Sequence, residues 1–529
     1  MFQKFCLYGH RRLCLAGLLT FLGAVSATAQ EAGRAEGAQG DTLTWRVTAI
    51  GGGASKEFNP YLLSWGNYGM TPMGGEALAD GYIGKDYDYD RRFSWSAGFE
   101  GVAGWSRRAD YALSTDNGSA WTTRRQGMPY AWIQQLWAGV KYRGVFVQAG
   151  MREQLSLLVD NSLSSGDLVA GNSARPVAQV RAGFIDFQNI PFTRGWVQIT
   201  GTIAYGKMCD GSYIKNHYNY WNRHITLGSL YAYRNIYFRT DPSRSLSVTV
   251  GVQAASFFGG NTEMYSQGKH VRTIHNSESA KTFFRMIIPR KDTGADGYVD
   301  GSSLGSWDLR ARYTLHGGHQ ISGYFQWLWE DGSSMGRRNK WDGLWGLEYR
   351  RTSAGRHILR AAVAEYIDFR DQSGPVHWAP GDHEGTDMTD EATGADDYYN
   401  NSGMNAYMHF GMSMGTPFIP APIYNTDGDL QFRHTRANGF HLAAEGDISD
   451  RFGWKAAVSY CRAFGTGRIP AQHVMHNTSA LAQVGWHGTG TLSGISATGA
   501  LSFDAGSLRG DNFGVLLSLS YTGNISLAK

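Results

Sequence analysis

The chain has 529 residues, with 49 Lys and Arg against 45 Asp and Glu and a formal net charge of +4 at pH 7. A balance this close to neutral gives no support to nucleic-acid binding, and four cysteines exclude a disulfide scaffold at this length. Charged residues make up 18%, below the quarter typical of soluble domains, while 69 glycines and 13% aromatic residues favour strands and turns.

Residues 1–29 read as an export signal. Lys4, His10, Arg11 and Arg12 form a basic start, Leu13 to Val25 is apolar, and Ala27-Thr28-Ala29 is a small-x-small cleavage site. Cys6 and Cys14 lie within it; Cys209 and Cys461 remain and could bridge in an oxidising compartment, although spacing alone does not bring them together. Residues 30–529 then form a single unit with no apolar run approaching the roughly twenty residues of a membrane helix.

What this unit has instead is alternation. In "GWVQITGTIAYG" (Gly195 to Gly206), Val197, Ile199, Ile203 and Tyr205 share one face, and Gln198, Thr200 and Thr202 the other. Leu246, Val248, Val250 and Val252 repeat the pattern, as do Trp307, Leu309, Ala311, Tyr313 and Leu315 against Asp308, Arg310 and Arg312. Trp345, Leu347 and Tyr349 oppose Glu348 and Arg350, and Phe513 to Tyr521 reads the same way. Aromatic residues gather at the ends of the apolar faces, where girdles at a lipid–water boundary would sit. Short links (Arg143-Gly144, Gly317-Gly318, Thr352 to Gly355, Ser449 to Phe452) alternate with long ones: 208–223, 258–305, 331–340, 370–401 and 465–479.

A soluble sandwich has no reason to sort its loops by end; an outer-membrane barrel does. The expected fold is therefore all-β: a transmembrane antiparallel barrel of about 18 strands, apolar faces toward lipid and polar faces toward the lumen. Both ends and the short turns would be periplasmic, with the long loops extracellular. Residues 398–430, broken by Pro and Gly, are expected to be irregular and able to fold into the lumen, with two further doubtful strands among them.

Just ahead of the alternating stretch lies "GNSARPVAQVRAGFIDFQNIPFTRGWVQITGTIAYG". Asn172, Arg175, Pro176, Gln179, Arg181 and Gly183 fall in this block, which resembles the capsule assembly Wzi family of outer-membrane proteins. "DDYYNNSGMNAYMHFGMSMGTPF" (Asp396 to Phe418) is similar to that family's later block in its Bacteroides-type form. The resemblance implies a monomeric, non-catalytic, lectin-like barrel that holds capsular or other surface polysaccharide, surrounded by outer-membrane lipid. A porin-like channel for small solutes is the alternative, because inward charges serve an open lumen as well as a plugged one.

The loop "MCDGSYIKNHYNYWNR" supplies the candidate polysaccharide site: Asp210, Tyr213, Tyr218, Asn219, Tyr220, Trp221 and Arg223. Sugars are held by flat apolar rings together with amides and charges that orient hydroxyls. The acids between Asp382 and Asp397 could hold a divalent ion but read first as a solvated loop, and "DTGADG" at Asp292 only half-matches a calcium loop. His316 to His319 reads as a turn rather than a zinc clip, and neither H-E-x-x-H nor G-x-S-x-G occurs. No catalytic residue, metal or cofactor is expected.

Overall fold

The computed structural model describes residues 42–527 apart from 115, 288–301, 331, 375–395 and 402. The signal region, the half-calcium motif at 292–297 and most of the acidic stretch at 382–397 lie outside these residues. The first third of the wall is β1 (Thr42–Phe58), β2 (Met73–Lys85), β3 (Phe93–Ser106), β4 (Ala131–Tyr142), β5 (Val145–Met151) and β6 (Ala178–Phe184). It continues with β7 (Val197–Lys207), β8 (Leu230–Thr240), β9 (Leu246–Phe258), β10 (Ser302–Thr314), β11 (His319–Trp329) and β12 (Gly343–Arg351). The last third is β13 (Ala361–Asp368), β14 (Ala437–Asp447), β15 (Phe452–Gly465), β16 (Pro470–His487), β17 (Ile495–Ala505) and β18 (Asn512–Ser526).

Each strand pairs antiparallel with its neighbours, and Gln188–Asn189 merely extends the β6 position along β7. β1 then pairs with β18, from Thr42 opposite Ser526 to Ala54 opposite Gly514, closing a barrel of 18 strands. Closure leaves no edge strand with unpaired backbone groups, which a hydrocarbon environment requires.

The two faces sort as the alternation requires. Val47, Val147, Ile203, Val250, Leu347, Leu442 and Leu517 are exposed on the outside, whereas Asp308, Gln326, Glu348, Glu365 and Glu445 are buried within. Exposed aromatics ring both ends: Phe93, Trp95, Tyr142 and Tyr313 toward the short turns, Trp105, Trp341, Phe440 and Phe513 toward the long loops. This is a bacterial outer-membrane β-barrel.

Residues 465–479 depart from the expected long loop. β15 and β16 are joined by 466–469 alone, and Pro470–His487 is the longest strand among the described residues. Its first residues are mostly exposed, because the hairpin projects beyond the apolar band and meets water on both faces. Polarity there reports height above the membrane rather than a loop. Residues 398–430 add no wall strand; a two-residue bridge, Met408–His409 with Met412–Ser413, is the one β pairing among the described residues of that stretch. No disulfide joins Cys209 and Cys461, and Cys461 is buried.

Three connections on the long-loop side fold inward. The first, 152–177, runs across polar groups presented by seven successive strands. Gln253 of β9 donates to Asp167 (2.9 Å), Arg310 of β10 to the Leu158 carbonyl (2.5 Å), and Gln326 of β11 accepts from Leu168 N (3.1 Å). Arg350 of β12 pairs with Asp160, and Glu365 of β13 accepts from Ser164 Oγ (2.6 Å) and Ser165 N (2.7 Å). His441 of β14 meets the Leu163 carbonyl at 2.8 Å, and Lys455 of β15 donates to the Ser162 carbonyl. Residues 59–72 join from the other side, where Trp65 Nε1 donates to Ser164 O (2.9 Å) and Tyr61 N to Asp504 of β17 (2.9 Å). In the third connection, Tyr399 Oη and Tyr407 Oη donate to the carbonyls of Leu168 and Val169 (2.8 and 2.7 Å). The inward charges therefore serve chain rather than water along this path.

Gly183, on β6, shows how tightly the wall is drawn. A Cβ built there would lie 2.2 Å from the Gly201 carbonyl oxygen, a backbone atom that cannot yield without moving β7. Gly183→Ala is expected to leave an assembled but weakened barrel, by about 1–3 kcal/mol for overpacking. Heat-modifiable gel migration measures this as a lower melting temperature of the folded band.

Candidate functional site

The stretch singled out in the sequence forms the connection between β7 and β8. It opens with the short helix Gly211–His217, whose inner side is Tyr213, Ile214 and His217, all buried. The Tyr213 and His217 rings stack at 3.9 Å, and Tyr111 meets His217 edge-on at 4.7 Å. Asp210, ahead of the helix, is buried and accepts from Phe410 N at 3.3 Å. Tyr218 is buried against Tyr265, ring centroids 4.6 Å apart.

Asn219 is fully buried and links three connections. Its Oδ1 accepts from Ser114 N and Tyr220 N (both 2.8 Å); its Nδ2 donates to the carbonyls of Ala112 (3.1 Å) and Asp427. Four of the seven candidates (Asp210, Tyr213, Tyr218 and Asn219) thus have their side chains turned into the protein. They build the loop and present nothing to a polymer. A tyrosine in a polar loop reads as exposed until the loop folds back over neighbouring connections.

Tyr220 and Trp221 emerge directly after Asn219, their ring centroids 4.1 Å apart. Trp121, at the far end of the hairpin Ala109–Leu113 with Thr122–Gln126, joins them at 5.8 Å from Tyr220 and 6.0 Å from Trp221. Gly118 permits the approach: at φ +74° it takes a backbone form that side chains resist, and a Cβ would lie 3.1 Å from the Tyr220 ring. The result is a solvent-facing group of three rings on the long-loop side, where Trp121 and Trp221 are exposed. Arg223 is exposed two residues on, and its carbonyl accepts from Tyr265 N (2.7 Å). Asp116 is held below the usual carboxylate range by Ala120 N–H and the Ser114 hydroxyl, so the hairpin tip carries a fixed negative charge beside the rings. Trp121 is a ring that sequence reasoning passed over; nothing local to it signals a neighbour a hundred positions away.

The motif residues Arg175 and Asn172 pack within the fold. Arg175 is buried between Trp132 (4.5 Å) and Phe410 (4.7 Å), and its carbonyl accepts from His409 Nδ1 (2.8 Å). Asn172 donates to Asn161 O (2.9 Å) and its carbonyl accepts from Tyr68 N (2.8 Å), while Pro176 leads into β6, which carries Gln179 and Arg181. Among the described residues no three His, Cys, Asp or Glu side chains converge as metal ligands. His316 to Gly318 forms a single turn with Gly317 at φ +77°.

Burial gives the loop a pH dependence. It pushes Asp210 up to about 7 from an ordinary 3.8, so the folded state keeps a proton that the unfolded chain releases. Stability from this group falls as pH rises from about 4 to about 7. Burial pushes His217 down from 6.5 to about 4, so its contribution is lost in the opposite sense, as pH falls from about 6.5 to about 4. Asp210→Asn should therefore gain stability over the parent as pH rises through that window, and be closest to it near pH 4. Melting curves of both proteins against pH check this.

Fold and site together define a closed outer-membrane barrel capped by extracellular loops that expose an aromatic cluster. No protein-family model and no curated protein matches the chain. Among solved structures, one described as Wzi, an outer-membrane protein involved in group 1 capsule assembly in Escherichia coli and a carbohydrate-binding β-barrel, aligns with a TM-score of 0.55. The match has 13% identity and covers 93% of this chain and 86% of that one. OccK5 (OpdH) of Pseudomonas aeruginosa aligns at TM-score 0.45 and 9% identity over 92% and 98% of the two chains. OccAB2 of Acinetobacter baumannii gives 0.46 and 7% over 92% and 98%. At such identities the likeness is one of fold.

Proposed function

We propose that this chain is a Wzi-type capsule-assembly protein that holds surface polysaccharide at the cell exterior, without catalysis and as a monomer. The observation that carries this reading is the exposed group of Trp121, Tyr220 and Trp221 on the extracellular side, flanked by Asp116 and Arg223. Rings present apolar faces to the C–H faces of a sugar, and the flanking charges orient its hydroxyls. The inward-folded connections lend support, since a barrel that anchors needs no open path. The carbohydrate-binding barrel among the structural neighbours is consistent with it.

Deleting the gene should release capsule into the medium, and the purified barrel should bind the recovered polymer. Cells that keep their capsule, with none shed, would defeat the reading. A channel for small solutes is the second reading, favoured by the ionic side chains along the inner wall, such as Arg46 with Glu100 (2.6 Å) and Arg310 with Glu348 (2.8 Å). Planar-bilayer recordings of the intact chain separate the two.

A further inference from the structure

The outer surface of the wall carries a recess of about 450 Å³ on the long-loop side of β12 to β14. Trp345 and Tyr366 line its floor, and Phe440 continues that outward face beside them: Trp345 lies opposite Tyr366, and Tyr366 opposite Phe440. Tyr366 and Phe440 are 5.0 Å apart, and Trp345 stacks on Phe325 at 4.0 Å. These rings belong to the outer girdle, the level at which acyl chains give way to headgroups.

Cations form the upper lip. Arg370 pairs with Asp368 (2.6 Å) and Lys340 with Asp371 (2.6 Å), which leaves those pairs neutral. Arg436 donates through Nε to the Arg370 carbonyl (3.0 Å), and its guanidinium has no carboxylate partner among the described residues. Arg462, exposed on the neighbouring strand opposite Asn438, lies 5.4 Å over Phe464, again with no carboxylate among those residues. Arg436 thus lines the recess above its aromatic floor, and Arg462 stands beside it on the next strand, both without a carboxylate partner among the described residues. A guanidinium fork matches phosphate oxygens, and a cation outside the wall at this height meets lipid headgroups before it meets any protein.

We propose that this recess seats the phosphate-bearing headgroup of an outer-leaflet lipid, its acyl chains against Trp345, Tyr366 and Phe440 and its phosphate at Arg436 and Arg462. Native mass spectrometry of the folded, detergent-extracted chain tests it with three probes: a phosphorylated glycolipid, the same glycolipid after phosphatase treatment, and inorganic phosphate. A surface cation contributes roughly fivefold to the binding of an anionic lipid, so removing both, or the phosphate, should lower adduct formation about thirtyfold. Arg436→Gln with Arg462→Gln supplies the first case, with folding checked by heat-modifiable migration; the phosphatase arm uses the unaltered chain and needs no variant. Equal adducts with and without the lipid phosphate would overturn the proposal. So would undiminished adducts in the folded double variant, displacement of the lipid by equimolar inorganic phosphate, or occupancy of this face by a second copy of the chain.

Discussion

Arg350→Ala is expected to loosen the inward segment 152–177 and to raise ion passage through the barrel above that of the parent. Arg350 is the cation paired with Asp160, whose side chain is only 1% exposed. Asp160 also fixes the local turn by accepting from Ser162 N (2.8 Å) and Leu163 N (2.9 Å). Removing the guanidinium leaves a carboxylate buried without its counter-charge, a change that typically costs about 3–5 kcal/mol. The pair belongs near the lower bound, because the arginine is 32% exposed and water screens it. The strain is relieved most readily if the segment swings Asp160 into water. Doing so withdraws Leu163 and Leu168 from buried positions and vacates the path beside Glu365. Single-channel steps in planar bilayers should become frequent in the variant, and adding Asp160→Asn should suppress them again by removing the stranded charge. Identical recordings for parent, single and double variants would show that this segment does not close the lumen.

The second large effect is expected at the extracellular rings. Replacing Trp121, Tyr220 and Trp221 together by Ala removes three neighbouring apolar faces. Stacked aromatic contacts of this kind contribute on the order of 1 kcal/mol each, and more where they act as hot spots. The triple variant should bind surface polysaccharide about a hundredfold more weakly, or beyond detection. Barrel assembly should be untouched, since none of the three lies in a wall strand and Asn219, which holds the loop in place, is retained. Glycan binding and heat-modifiable migration read the two properties separately. Full binding by a correctly folded triple variant would place the polymer elsewhere on the rim. Changing Tyr213 and Tyr218 instead should disturb the loop first and binding only through it, because both rings are buried.

Neither site is announced by the chain as clearly as the wall that carries them. The wall is legible because a strand repeats every two residues and its two environments are uniform along the barrel: Ile203 and Leu347 outward, Thr200 and Glu348 inward. The rhythm breaks where the environment changes, as in Pro470 to Asn477, which stands above the apolar band and is wet on both faces. The segment 152–177 has no period to read. Its backbone is satisfied by Gln326, Glu365 and Lys455, side chains between 158 and 293 positions away, and nothing local encodes those partners. The loop 208–223 is legible only in part for the same reason. "NYW" marks aromatic chemistry, yet only the packing decides that Asn219 points in while Trp221 points out.

The seam between β1 and β18 joins the beginning of the described chain to its end: Thr44 Oγ1 bonds to Asn524 across a separation of 480 positions. A contact of that span is reached late, because the entropy of closing so large a ring is met only once the intervening strands are aligned. The inward connections 59–72 and 152–177 are expected to be in place before this happens, since each begins and ends at wall strands that the seam then locks. The sheet must therefore curl around its own interior, and an early zipper between the two ends would trap the barrel with its contents outside. Timing is thus written into the architecture: the interior settles first, and the ring shuts over it.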